Sequence, residues 1–165
     1  MDSERDEKGL LALAVFRILV GWLFIWAFFD KLLGLGFATP AGSGMIDRGS
    51  PSYFVTFVTD GIFKDFYLSL AGNTIVDIVF MAALLILGVT LILGITSKLA
   101  TIGSAMFLVV MWSLHAPPSD NPIIDFRLIL AVGLVATYYL GGYKRLSLYG
   151  RWKEWSLVKR FPILE

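Results

Sequence analysis

His115-Ala116-Pro117-Pro118-Ser119-Asp120-Asn121-Pro122-Ile123-Ile124-Asp125-Phe126-Arg127 is a short, polar, proline-broken stretch between two long apolar runs. It gathers the chain's only histidine with Asp120, Asn121, Asp125 and Arg127. Pro117-Pro118 stops the helix before it, because a residue preceding proline is pushed out of the α region. Asn121-Pro122 predicts the start of the next helix, at about Ile123. Read outward from here, the chain falls into apolar helices that each bring a polar end to this one place.

The 165 residues are 57% hydrophobic, with a mean hydropathy of +0.75. A soluble domain carries about 45–50% apolar residues. The excess is concentrated in Gly9–Leu33, Ile75–Ile95, Leu99–Leu114 and about Ile123–Leu140. A helix needs about 20 apolar residues to cross a bilayer. The expected fold is therefore an all-α membrane protein, a single domain over residues 1–165. It would be a four-transmembrane-helix bundle with an external interfacial helical segment and a basic amphipathic C-terminal tail. A net charge of +1 without a basic groove excludes nucleic acid as a partner. The lack of cysteine excludes disulfides, thiolate nucleophiles, iron–sulfur clusters and Cys-ligated zinc. One histidine cannot give bis-His haem ligation, and no flavin motif is present.

Met1–Lys8 reads as a charged leader, too acidic for a signal-peptide n-region, so the first helix is expected to stay uncleaved. Trp22, Trp26 and Asp30 recur at spacing four and are expected on one face. Phe37–Thr74 is broken by Thr39-Pro40, Ala41-Gly42-Ser43-Gly44 and Gly49-Ser50-Pro51. Ser50-Pro51 predicts a helix start. The aromatic stretch from Tyr53 to Tyr67 predicts short amphipathic helices lying over the end of the bundle. Gly88, Gly94, Gly103, Ser104 and Ala105 predict close helix–helix approach. In the tail, 143–165, Leu148, Trp152 and Trp155 fall on one helical face among basic residues, the pattern of an interfacial anchor.

Lysine and arginine set the orientation. Arg5, Lys8, Lys98 and the six basic residues of the tail fall on the side of the termini; Lys31, Arg48 and Lys64 fall on the other. The termini are expected in the cytoplasm, and 37–74 and 116–121 outside. Asp30 and Lys31 then end the first helix outside, Asp77 begins the second, His115 ends the third, and Asp125 and Arg127 begin the fourth. Charge at that depth is unfavourable unless it is paired or faces water. Two readings stay open. One is an ion-pair clasp, with Asp77 as a structural ion-pair partner and Asp30 beside it. The other is a reactive mouth, with His115, Asp125 and Asp30 as proton-handling catalytic groups and Lys31 and Arg127 holding an anionic substrate. Trp26 and Trp112 are candidates to stack on a quinone ring, against the alternative that they only fill space. His115, Asp120 and Asp125 make a poor ligand set, so no metal is expected. Arg17, deep in the first run, is expected to snorkel toward inner-leaflet phosphates.

The order of Phe16-Arg17-Ile18-Leu19-Val20-Gly21, Trp26-Ala27-Phe28-Phe29-Asp30-Lys31, Gly34-Leu35-Gly36-Phe37-Ala38-Thr39-Pro40, Gly49-Ser50-Pro51, Leu70-Ala71-Gly72-Asn73, Val76-Asp77, Met111-Trp112, Pro117-Pro118 and Asn121-Pro122-Ile123-Ile124-Asp125 resembles the DoxX/DoxD family of small four-helix membrane proteins. The likeness runs from about Leu10 to the Gly150-Arg151-Trp152 tail. It is nearest to the DoxD membrane subunits of thiosulfate:quinone oxidoreductases. The resemblance implies oxidation of thiosulfate to tetrathionate outside the prokaryotic cytoplasmic membrane, quinone as the electron acceptor, and a DoxA-like second subunit. Relatives often carry His or Tyr in the first turns of the fourth helix, where this chain has Phe126-Arg127-Leu128.

The leading expectation is a quinone-linked redox subunit. The alternative is a non-enzymatic assembly or anchoring subunit of a respiratory or redox complex, docking through Tyr53–Tyr67. An ion carrier fits less well, because transport sites sit near the midplane and these charges collect at one end. Membrane lipid is an expected contact in every case, and a homo-oligomer is left open.

Overall fold

The structure, a computed structural model, describes residues 2–119 and 121–165. Among these the protein is all-helical, with no strand. The four longer helices are α1 (Asp2–Leu33), α2 (Thr74–Leu93), α3 (Ser97–Ser113) and α4 (Phe126–Tyr139). Two of them, over Glu4–Leu33 and Thr74–Leu93, are long and apolar enough to cross a membrane. The other two are shorter.

Packing pairs α1 with α2 and α3 with α4, and lighter contacts of α2 with α3 and α1 with α4 close the ring. All four helices feed one core, through Val20 and Phe24, Met81, Leu84 and Leu91, Ala100 and Leu108, and Ala131 and Leu134. The tightest helix pair depends on Gly21 and Gly88. A Cβ on Gly21 would stand 3.1 Å from the Gly88 carbonyl oxygen, and one on Gly88 would stand 3.1 Å from that of Gly21. This is small-residue packing of the kind that brings helix backbones close. Gly103 meets Leu87 in the same way, whereas Gly94 instead ends α2 in the left-handed conformation.

Two of the long helices start on a side-chain cap, whereas Thr96 before α3 makes none. Asn73 accepts from the amides of Ile75 and Val76, and Asp125 from those of Arg127 and Leu128. The fourth helix therefore begins at Phe126 rather than at Ile123. Asn121 accepts from the Ile123 and Ile124 amides, and this separate turn takes those residues out of the helix. Asp120 lies outside the described residues.

The segment 34–73 covers one end, here called the upper end. It contains short helical turns at Met45–Asp47, Pro51–Phe54, Val55–Val58 and Lys64–Leu68. Pro51 opens its turn as expected, but the Ser50 hydroxyl makes no cap; it donates to Asp77 instead. Further along, the Gly61 and Ile62 amides donate to the Leu114 and Ala116 carbonyls, joining the segment to the end of α3.

The tail does not form one amphipathic helix. It breaks into Tyr149–Trp152, Ser156–Arg160 and Pro162–Leu164 and folds back under the lower end. Trp152 Nε1 donates to the Leu164 carbonyl at 2.6 Å, and the Ser97 amide to the Glu165 carbonyl at 2.7 Å. These bonds turn Trp152 toward the protein, while Trp155 stays exposed.

Arg17 is fully buried and does not snorkel. Its guanidinium donates to the last carbonyls of α2, Leu91 and Ile92, and to those of Arg145 and Leu146 in the turn after α4. It also lies over the Tyr143 ring, 5.0 Å from the centroid. A helix C-terminus is the negative end of its dipole, so a cation there caps and neutralises together. Tyr143 hydrogen-bonds Thr101 at 2.9 Å, and burial pushes its phenol above the ordinary value.

Candidate functional site

A cleft of about 240 Å³ runs down from the upper end between the two helix pairs. Val20, Leu23, Phe24, Ala27 and Lys31 of α1 line it, with Phe80 and Leu84 of α2, Phe107, Leu108 and Met111 of α3, and Phe126, Arg127 and Leu130 of α4. Phe54, from the covering segment, closes it above. Leu23 and Phe126 are exposed, so the cleft reaches the outer surface between α1 and α4. Its walls are aromatic and mutually braced. Phe80 stacks on Phe54 at 5.0 Å and on Phe107 at 5.7 Å, and Phe24 meets Phe107 edge-on at 5.2 Å.

Two cations enter this apolar space. Lys31 is 7% exposed, and its ammonium faces the Phe54 ring at 5.1 Å and the Phe80 ring at 5.9 Å. Among the described residues it has no carboxylate within 4.0 Å and makes no hydrogen bond. Arg127 is paired: Nη1 donates to Asp125 Oδ2 at 2.5 Å, while Asp125 Oδ1 accepts from the Arg127 amide at 2.8 Å. The cap that starts α4 thus also aims its guanidinium.

The carboxylates at the upper end hold backbone rather than substrate. Asp30 is buried, and its oxygens accept from the Phe37 amide at 3.2 Å and the Thr39 amide at 2.7 Å. It ties the loop after α1 to the helix end. Asp77 is buried too, accepting from Ser50 Oγ and the Ser52 amide, each at 2.6 Å. Its structural role stands, but not as an ion pair: among the described residues no Lys or Arg nitrogen comes within 4.0 Å. The reason is local, since Ser50–Ser52 presents a hydroxyl and an amide at the start of α2, and no cation arrives there. Asp125 is a cap and the partner of Arg127.

His115 does not line the cleft. Its Nδ1 lies 3.1 Å from Asp60 Oδ1 in the covering segment. Trp26 and Trp112 do not line it either. Trp26 is turned outward, 37% exposed, against Trp22 and Phe37. A helix advances about 100° per residue, so a spacing of four drifts about 40° each step. Over eight residues Trp22 and Asp30 therefore part company, the tryptophan outward and the aspartate inward. Trp112 keeps its indole nitrogen buried without a partner.

Of the residues singled out from the sequence, Lys31, Arg127 and Asp125 come together, while Asp30, Asp77, His115, Trp26 and Trp112 do other things. The phenylalanine walls were not anticipated. Their signal is present in the order Val20, Phe24, Ala27, Lys31, which is one stripe of an α-helix. Among the described residues no cluster of His, Asp or Glu is arranged to hold a metal. Comparison with protein families, with curated proteins and with solved structures found no match for this chain.

Proposed function

We propose that this chain is the membrane subunit of a quinone-linked oxidoreductase and that the aromatic cleft takes the quinone ring. The observation that carries the reading is Lys31 and Arg127 entering a cavity otherwise walled by Phe24, Phe54, Phe80, Phe107 and Phe126. An apolar ring with two carbonyl oxygens needs such a site: aromatic surface for the body and N–H donors for the oxygens. The opening beside Leu23 and Phe126 suits entry from the acyl chains.

In this proposal all four long helices cross the cytoplasmic membrane of a prokaryotic cell, with both termini inside. The outward faces support it, because α3 and α4, like α1 and α2, expose large apolar side chains such as Ile102, Met106, Ile129 and Val132. At about 1.5 Å per residue α3 spans about 26 Å and α4 about 21 Å. Ile123 and Ile124 extend the apolar length of α4 upward.

The donor we propose, from the resemblance to DoxD subunits, is thiosulfate. Two thiosulfate dianions join through a new S–S bond to give tetrathionate and release two electrons. The quinone accepts both with two protons and leaves as quinol. A DoxA-like subunit is the proposed partner.

The test is the purified protein with decylubiquinone. Saturable quinone binding and thiosulfate-dependent reduction are expected, both impaired in Arg127→Ala and in Phe80→Ala. Absence of quinone binding by folded protein would sink the reading. The second reading, an assembly or anchoring subunit, is favoured by Phe37, Phe57, Ile62 and Phe66, large apolar side chains exposed on the upper segment. Recovery of a redox partner in mild detergent, without quinone affinity in this chain, would select it.

A further inference from the structure

Lys31 also lines a second space. Above the cleft, a chamber of about 270 Å³ is bounded by Lys31, Thr39, Ser43, Tyr53, Phe54 and Phe57 with intervening small residues. Phe54 and Lys31 line both spaces, so the two adjoin at these side chains. A desolvated ammonium is strongly disfavoured without a counter-charge, and the two aromatic faces compensate only in part. Asp30 attracts the ammonium through space, but among the described residues no carboxylate bonds it directly. Asp30 holds the Phe37 and Thr39 amides, and Asp77 holds Ser50 and Ser52.

We infer that the upper chamber is a binding site for a small water-borne oxyanion, with Lys31 as its counter-ion and Thr39 and Ser43 among its lining residues. The chamber lies on the loop side of Phe54, among residues 38–57, and is roomy enough for a tetrahedral oxyanion with some of its water: a liquid water takes about 30 Å³. The anion and the occupant of the cleft would then bind at the same time, in adjoining spaces. The inference rests on the quinone reading only for the identity of the cleft's occupant.

The experiment is calorimetric titration of the purified full-length protein with sodium sulfate and with sodium thiosulfate, ionic strength being held with chloride. Saturable binding is expected. It should weaken at least about tenfold in Lys31→Met, as for loss of a charge-assisted hydrogen bond, and persist in Lys31→Arg. Ala38→Trp, at an exposed loop position lining the chamber, should block the anion and leave decylubiquinone binding intact. Saturating decylubiquinone should leave anion binding saturable while shifting its affinity, because both occupants share the Lys31 ammonium. Unchanged anion affinity in folded Lys31→Met or Ala38→Trp overturns the inference, and so does mutual exclusion of anion and quinone. If phosphatidylglycerol in the micelle occupies the site and free sulfate does not, a lipid headgroup is the ligand and the water-borne assignment is overturned. Lys31-dependent sulfate binding without any decylubiquinone binding supports the chamber and removes the quinone reading.

Discussion

Replacing Arg17 by alanine should destabilise the protein more than any other single change outside the hydrophobic core. The side chain is fully buried and bonds carbonyls of two segments, Leu91 and Ile92 at the end of α2 and Arg145 and Leu146 after α4. A hydrogen bond from a charged donor contributes about 1.5–3 kcal/mol, and a buried carbonyl left bare costs about 1–3 kcal/mol. These overlap, and breaking a buried charged contact usually comes to about 3–5 kcal/mol. At about 2–4 °C per kcal/mol for a chain of this length, a loss near 4 kcal/mol lowers Tm by about 8–16 °C. Arg17→Lys keeps the charge but has one donor head in place of a fork, and should lose about half as much. Thermal unfolding followed by circular dichroism, in neutral detergent and again with anionic lipid, measures both. A snorkelling arginine would show a small effect that depends on anionic lipid. A Tm for Arg17→Ala within about 2 °C of wild type, or a loss confined to anionic lipid, would refute the capping account.

Asp77→Ala should free the 50–58 cover from α2. Loss of the acceptor for Ser50 Oγ and the Ser52 amide predicts about 1–3 kcal/mol and faster hydrogen exchange at Ser52, with Asp77→Asn milder because it keeps one oxygen acceptor. Asp77→Ala exchange as slow as wild type would show that the cover is held elsewhere. Tyr149 donates to Glu165 Oε1 at 2.7 Å, and that bond, with partial burial, pushes its phenol up to about 12. The folded value is raised, so this contact favours the folded tail below the ordinary tyrosine value of about 10 and fades as pH climbs from there toward 12. Ultraviolet titration should show a late-ionising component beside that of buried Tyr143, lost in Tyr149→Phe and moved down in Glu165→Gln; no change in Glu165→Gln would rule the contact out.

The long helices were legible because long apolar runs and Pro117-Pro118 as a stop are local signals, but the caps Asn73 and Asp125 were not read, and the Asp125 cap moves the start of α4 from Ile123 to Phe126. What failed to show was what each polar group at the upper end does. Asp30, Asp77 and Asp125 look alike in sequence, each one a lone carboxylate at a helix end. Asp125 does meet a cation, Arg127, but the partners of Asp30 and Asp77 are amides and a hydroxyl 7 to 27 positions away, set by how the 34–73 segment folds over the helices. Backbone donors leave no mark in the residue pattern, so the carboxylates were matched with the visible cations. Arg17 was misjudged for the same reason: its partners are carbonyls. Phe54 was invisible as a cleft wall because its place depends on Asp77 holding the turn that carries it.

These consumed carboxylates decide which group matters at the upper end. With Asp77 bonded to Ser50 and Ser52 and Asp125 paired with Arg127, Lys31 is left with the through-space attraction of Asp30 and, among the described residues, no direct ion pair. A structural clasp would leave no such remainder, since its purpose is mutual neutralisation. A ligand site is expected to leave one, because the ligand supplies the missing partner and an uncompensated ammonium raises affinity for anything that does. His115 lies 3.1 Å from the exposed Asp60 and lines neither the cleft nor the chamber. The chemistry of the upper end therefore centres on Lys31 and the ring of Phe54 beneath which it lies.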